Sequence, residues 1–233
     1  MLNKNAYPSY TADELLEQFH RSRKYSRDLI EGLSAEDCQA QSMEDASPAK
    51  WHLAHVTWFY EVMILKPFEK DFTYWNPEFA VLFNSYYNGV GDKHPRNKRG
   101  LLTRPSLKEV LEWRQNIEDR ISALLNKNTS IELLWLIQMG INHEQQHQEL
   151  LLTDIQHLFY NNALLPAYYA QGKQTSSTEK SFQWLQGIDG LVNIGHEGNG
   201  FHFDNEGPKH SALNQAHSCL LYTSPSPRDR TRS

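Results

Sequence analysis

Cysteine is scarce: Cys38 and Cys219 are the only two in 233 residues, far apart and in dissimilar segments. That excludes a disulfide-stapled secreted scaffold and fits a reducing, cytoplasmic setting. Long apolar runs are missing as well. No uncharged stretch reaches the ~18–20 residues a membrane helix needs, and the start, MLNKNAYPSYTADELLEQ, has no apolar signal-peptide core. Nor is there an excess of positive charge. The formal net charge is −5, so no global basic field draws the chain to nucleic acid or to an anionic membrane. What is present is material for a core: 39% of residues are hydrophobic and 12% aromatic, as in globular proteins.

Apolar spacing at Leu15, Phe19, Tyr25, Leu29 and Leu33 predicts a helix from Thr11 to about Leu33, with Thr11 and Glu14 as a capping box. Ser47-Pro48 opens a second helix to about Leu65, serine suiting the N-cap and proline the first turn. Ser106 caps a third helix to about Leu125, and Ser130 a fourth, the longest, to about Tyr160. Four helices with one long insertion predict a mainly α protein, an antiparallel four-helix bundle with functional side chains in its core. The insertion, residues 67–105, holds Pro67, Pro77, Pro95, Pro105, Gly89, Gly91 and Gly100. It is also dense in aromatics: Phe68, Phe72, Tyr74, Trp75, Phe79, Phe83, Tyr86 and Tyr87. Disordered linkers lack such aromatics, so an ordered loop that packs on the bundle and shapes a site is expected.

After the bundle, residues 10–165, the composition shifts. A polar linker is expected over 166–181, containing GKQTSSTEKS. Residues 182–217 then give short strand and turn signals, with glycines at 187, 190, 195, 198 and 200, the start of an irregular α+β segment. Residues 218–233, which include CLLYTSPSPRDRTRS, show neither period and read as a non-native, disordered tail.

The strongest local signal is His143-Glu144-Gln145-Gln146-His147. A spacing of four sets both histidines on one helical face, with Leu136, Gly140, Leu150 and Asp154. Gly140, one turn before His143, leaves room for a ligand. H-E-x-x-H is the zinc-peptidase pattern with glutamate as general base, but no third ligand follows nearby. Trp51-His52-Leu53-Ala54-His55 on the second helix offers one. One histidine from there and two from the fourth helix make a three-nitrogen set that suits zinc, iron or copper alike.

The segments SPAKWHLAHVTWFYE, LFNSYYNGVGDKHPRNKRGLLTRPS and INHEQQHQELLLTDIQH resemble the DinB-like iron-binding domain of the ergothioneine-biosynthesis sulfoxide synthases. GLVNIGHEGNGFHFDNEGPKH resembles the start of their second domain, of the formylglycine-generating-enzyme (sulfatase-modifying-factor) type. Together the likeness runs from about residue 10 to 217. It implies an Fe(2+) centre on His55, His143 and His147, with His52 beside it. It implies substrate contacts from Gln146 and from Arg96 and Arg99, the last two clamping the carboxylates of the thiol substrate. The implied reaction is O2-dependent joining of the sulfur of cysteine or γ-glutamylcysteine to the imidazole of hercynine, giving a sulfoxide. In that family the second domain supplies a catalytic tyrosine, absent from 182–217, so a truncated and at best weakly active chain is expected. Glu144 is then a structural residue or orders an imidazole N–H. The rival readings are a DinB-like zinc or nickel thiol transferase, a zinc peptidase, and a non-catalytic metal-binding fragment.

Overall fold

The computed structural model describes residues 10–85, 91–168, 184–198 and 200–220. They fall into two compact units, one within Tyr7–Ala170 and the other within Gln171–Ser233. Tyr86, Tyr87, Gly89 and the GKQTSSTEKS stretch lie outside the described residues.

The first unit is helical. Helix α1 (Ala12–Asp28) begins at the expected capping box: Glu14 N–H donates to Thr11 Oγ1 at 3.3 Å and Thr11 N–H to Glu14 Oε2 at 2.8 Å. It stops short of Leu33 because a turn leads into a short helix that periodicity misses, α2 (Ala35–Gln39). There Ser34 and Asp37 form a second capping box. Helix α3 (Ala49–Phe59) is buried along its whole length. It widens into a π-helical stretch over Tyr60–Leu65 before α4 (Lys66–Phe68). The widening sits just ahead of Pro67, whose ring obstructs the preceding α turn. The expected cap at Ser47 does not form. Pro48 is the N-cap, and Ser47 Oγ instead accepts from Arg99. Within the insertion come α5 (Phe79–Leu82) and a 3-10 stretch, Arg96–Leu101. Helix α6 (Leu107–Leu125) is capped by Ser106 as predicted. Helix α7 (Ile131–Asn161) follows Ser130 without a side-chain cap bond.

Helices α1, α3, α6 and α7 pack around one core built on Leu15, Phe19, Trp58, Trp113, Ile117 and Ile137. Contacts rise along α3 as they fall along α7: His52 meets Asp154, and Tyr60 meets Gly140. The two helices that carry the histidines therefore run antiparallel. The space beside Gly140 is not left for a ligand. A Cβ there would lie 2.7 Å from Tyr60 Cε1 and 3.2 Å from Phe59 Cε1, so the glycine lets α7 press against those rings.

A fully buried ionic cluster ties the four helices together. Glu144 of α7 accepts from Arg23 of α1 at 3.2 Å, from Arg114 of α6 at 3.0 Å and from Ser26 at 2.7 Å. Arg23 also reaches Glu118 at 3.1 Å and Thr57 of α3 at 3.1 Å, and Arg114 donates to Leu53 O at 3.1 Å. Burial pulls Arg114 down to about 10, with the charge of Arg23 adding to the effect. For Glu144, burial favours protonation, but Arg23 and Arg114 outweigh it and hold the carboxyl below its ordinary range.

The insertion is ordered where described. Phe79 and Phe83 pack on Trp113, and Trp58 Nε1 donates to Ala80 O at 2.9 Å. Lys50 Nζ donates to Leu102 O and Pro105 O, both at 2.7 Å, and Trp75 N–H to the buried Glu61 at 2.7 Å. These bonds fasten both ends of the loop to α3 and its π extension.

The second unit holds two antiparallel pairs. Strand β2 (Gly190–Ile194) pairs with β3 (His210–Asn214), and β1 (Trp184–Gln186) with β4 (Ser218–Leu220). Residues Ser218–Leu220, assigned from sequence to a disordered tail, thus form a strand on the backbone of Trp184–Gln186, a pairing that side-chain periodicity does not report. Glycines with positive φ at 190, 195 and 198 set the turns expected there. Among the described residues no helix is long and apolar enough to cross a membrane.

Truncating Glu144 leaves two buried guanidiniums without their shared carboxylate. Glu144→Ala is expected to destabilise the fold by ~3–5 kcal/mol. Urea unfolding followed by circular dichroism measures it, and a loss below about 1 kcal/mol would mean the cluster holds nothing in register.

Candidate metal centre

One turn of α3 and one of α7 build the centre. His143 and His147 project from the same face of α7, and His55 faces them from α3. Their ligand atoms all lie within 4.8 Å of one another. His55 is sandwiched between Trp51, with ring centroids 4.7 Å apart at 10°, and Trp58, at 5.5 Å and 12°. Its Nδ1 donates to Phe83 O at 2.6 Å, which leaves Nε2 with a lone pair toward the other rings. The insertion thus sets the tautomer of a ring on α3.

His147 is held from behind. Its Nδ1 lies 2.9 Å from Nδ1 of His52, and His52 Nε2 lies 3.0 Å from Asp154 Oδ2. Both ring nitrogens of His52 are engaged, so His52 stands beside the set and not in it. His143 differs: its Nδ1 is buried with no hydrogen-bond partner. Such an atom costs roughly 1–3 kcal/mol, so the His143 ring keeps part of its polar character unspent.

Burial keeps all four imidazoles neutral. It pushes His143 down to about 4, with Glu144 opposing. His55 and His147 fall well below the usual histidine value, through burial first and the neighbouring imidazoles second. His52 falls through burial, against the pull of Asp154. Neutral imidazoles are what a metal ion requires. The donor set therefore fits a divalent transition ion, and three nitrogens leave further positions open.

The three histidines open onto a cavity of about 410 Å³, lined also by Trp51, His52, Ser47, Ser85, Arg96, Arg99, Gln146 and Leu150. Every residue singled out from sequence as ligand or substrate contact is on that wall. Arg99 is nearly buried. Its guanidinium lies 3.3 Å from the Trp51 ring centroid and donates to Ser47 Oγ at 2.8 Å and to Ser85 Oγ at 3.3 Å. Arg96 donates to Asp45 O. None of the described lining residues is acidic, so the cavity favours an anionic occupant.

Glu144 is absent from this wall. Both its oxygens are taken on the far side of α7 by Arg23, Arg114 and Ser26. It orders no imidazole N–H among the described contacts, and its low proton affinity makes it a poor base. The peptidase reading of H-E-x-x-H fails on that orientation. What sequence reasoning missed is Asp154 as the anchor of His52. Its place two turns after His147 on the same face was the available signal.

A family model described as the DinB superfamily matches residues 18–151, a span that includes all three histidines. No curated protein matches the chain.

The depressed histidines fix the sign of a pH effect. The unfolded chain takes up protons near the ordinary value of 6.5, whereas folded His143 resists until about 4. Metal-free protein is therefore expected to be fully stable above about pH 6.5 and to lose stability as pH falls from there toward 4. Urea midpoints measured at stepped pH test this, and a midpoint that does not move across that window would contradict neutral, buried imidazoles.

Proposed function

The chain belongs to the DinB superfamily, and from that premise we propose that it is a non-haem iron(II), O2-dependent sulfoxide synthase. It joins the sulfur of cysteine or γ-glutamylcysteine to the imidazole of hercynine, as in ergothioneine biosynthesis. The observation that carries this reading is the convergence of six residues from three distant segments on one cavity: His55, His143, His147, Gln146, Arg96 and Arg99. They are the positions the resemblance to the sulfoxide synthases names. Residues 182–217 are read, in the same proposal, as the opening of a formylglycine-generating-enzyme-type domain.

In this reading His55, His143 and His147 hold the iron, which when bound supplies O2 chemistry and a soft partner for a thiolate. The rest is positioning. Arg96 and Arg99 receive the carboxylates of the thiol substrate through charge-assisted contacts. Trp51 holds the Arg99 guanidinium flat from one side and packs His55 on the other. Gln146, beside His147, offers an amide to the second substrate, and Leu150 closes the wall. The reaction balances without an outside reductant. The S–H and C–H hydrogens leave with one oxygen atom as water, the second oxygen stays on sulfur, and a carbon–sulfur bond forms.

Anaerobic loading with ferrous iron, followed by cysteine, γ-glutamylcysteine or hercynine and then O2, tests the proposal. The ferrous–nitric oxide electron-paramagnetic signal is expected to change on adding thiol. Arg96→Ala or Arg99→Ala is expected to weaken that thiol response by about 10–100-fold, the loss of a hydrogen bond to a charged group. Turnover is expected to be weak, its product having the mass of one thiol plus one hercynine plus one oxygen, less two hydrogens. A chain that ignores thiol as the ferrous form, yet as the zinc or nickel form transfers a thiol to an electrophile without O2, would instead be a DinB-like thiol transferase.

A further inference from the structure

Asp154 lies two helical turns beyond His147 on α7, and its Oδ2 is shared. It accepts the Ser47 backbone N–H at 2.8 Å and lies 3.0 Å from His52 Nε2. A carboxylate oxygen only accepts, so the hydrogen in the second contact belongs to His52 Nε2. Above the ordinary imidazole range, at about pH 8, His52 carries this one ring hydrogen and presents a bare lone pair at Nδ1. The atom facing it 2.9 Å away is Nδ1 of His147, and two lone pairs cannot share a hydrogen bond. His147 must bring the hydrogen on Nδ1, which leaves the lone pair on its Nε2. A single carboxylate thus fixes the tautomer of two successive rings.

We infer that Asp154 and His52 are positioning residues: a carboxylate–imidazole–imidazole relay that turns His147 so that its Nε2, and not its Nδ1, is offered to a metal ion. The relay parallels, on α7, what Phe83 O does for His55 on α3. It runs from a half-buried group to a buried one: the Asp154 side chain is 15% exposed and that of His52 4%. It also explains why His52 sits one turn from His55 without joining the ligand set. Through Ser47, whose N–H meets Asp154 and whose Oγ meets Arg99, the same anchor is tied to the cationic wall of the cavity. The consequence for metal binding rests on the three-histidine reading; the tautomer itself is a property of the metal-free fold.

The test has two arms on the full chain. Long-range proton–nitrogen NMR of metal-free, nitrogen-15-labelled protein reads the tautomers directly: hydrogen on Nε2 for His52, on Nδ1 for His147. Competition of zinc with a chromogenic chelator reads affinity. His52→Phe is expected to weaken zinc binding about 10–100-fold, the usual effect of losing a partner behind a ligand. His52→Gln, which keeps a donor toward Asp154 and an acceptor toward His147, is expected to recover most of that loss. Asp154→Ala is expected to turn His147 into a tautomer mixture while the helical circular dichroism signal persists. Hydrogen found on Nε2 of His147 in the wild type overturns the inference, as does His52→Phe protein that binds zinc as tightly as wild type. Wild-type protein that shows the stated tautomers but takes up no zinc would sink the metal centre and leave the relay standing, so the two failures are told apart.

Discussion

Glu144 lies between two guanidiniums with no exposure to water, and its carboxylate is in contact with α1 and α6 from a position on α7. Buried ion pairs add little net stability, because desolvation offsets most of the Coulomb attraction. Their stronger effect is on the alternatives. A slip of one residue along α7, or a rotation by a third of a turn, would strand a carboxylate and two guanidiniums in apolar surroundings. His143 and His147 lie one residue before and three after Glu144. On a helix both sit off to the same side of its direction. Holding the carboxylate inward therefore aims the two imidazoles at α3.

The opposite wall is set by aromatic layers and not by charge pairing. Arg99, Trp51, His55 and Trp58 stack in sequence, and the insertion contributes Arg99 at one end and the Phe83 carbonyl. A change in the loop is thus felt at a ring on α3, and a change in α3 is felt at Arg99. This coupling gives a physical reason for so many aromatics between Pro67 and Pro105. Among the described ones, Phe79 and Phe83 pack an irregular backbone onto Trp113 of the bundle.

Much of this was legible from residue spacing. The capping box at Thr11 and the reach of α6 and α7 follow from local patterns, and a helix or a one-turn spacing is a local property; the choice of His55 from WHLAH as partner of HEQQH came from the family resemblance. What stayed hidden depends on partners distant in sequence. Glu144 in H-E-x-x-H is a base if it faces the metal and a structural ion if it faces Arg23 and Arg114, and no spacing within the motif distinguishes the two. Gly140 looks like space for a ligand until the ring of Tyr60 occupies it. The π-helical widening before Pro67 and the pairing of Ser218–Leu220 with Trp184–Gln186 are backbone events that a hydrophobic period does not register.

The orientation of Glu144 also constrains the chemistry. With that carboxylate sequestered, the described cavity wall offers no acid and no anionic base. It offers two guanidiniums and imidazoles kept neutral by burial. Hydrolysis at a metal centre needs a base to take a proton from water, and the glutamate of H-E-x-x-H is not on that wall to serve as one. A thiol asks for less. Nearby positive charge favours thiolate over thiol, so a cation on the three rings together with Arg96 and Arg99 lowers the cost of ionising sulfur with no dedicated base. In the proposed function, the same electrostatics suit a substrate that enters as an anion and reacts through sulfur.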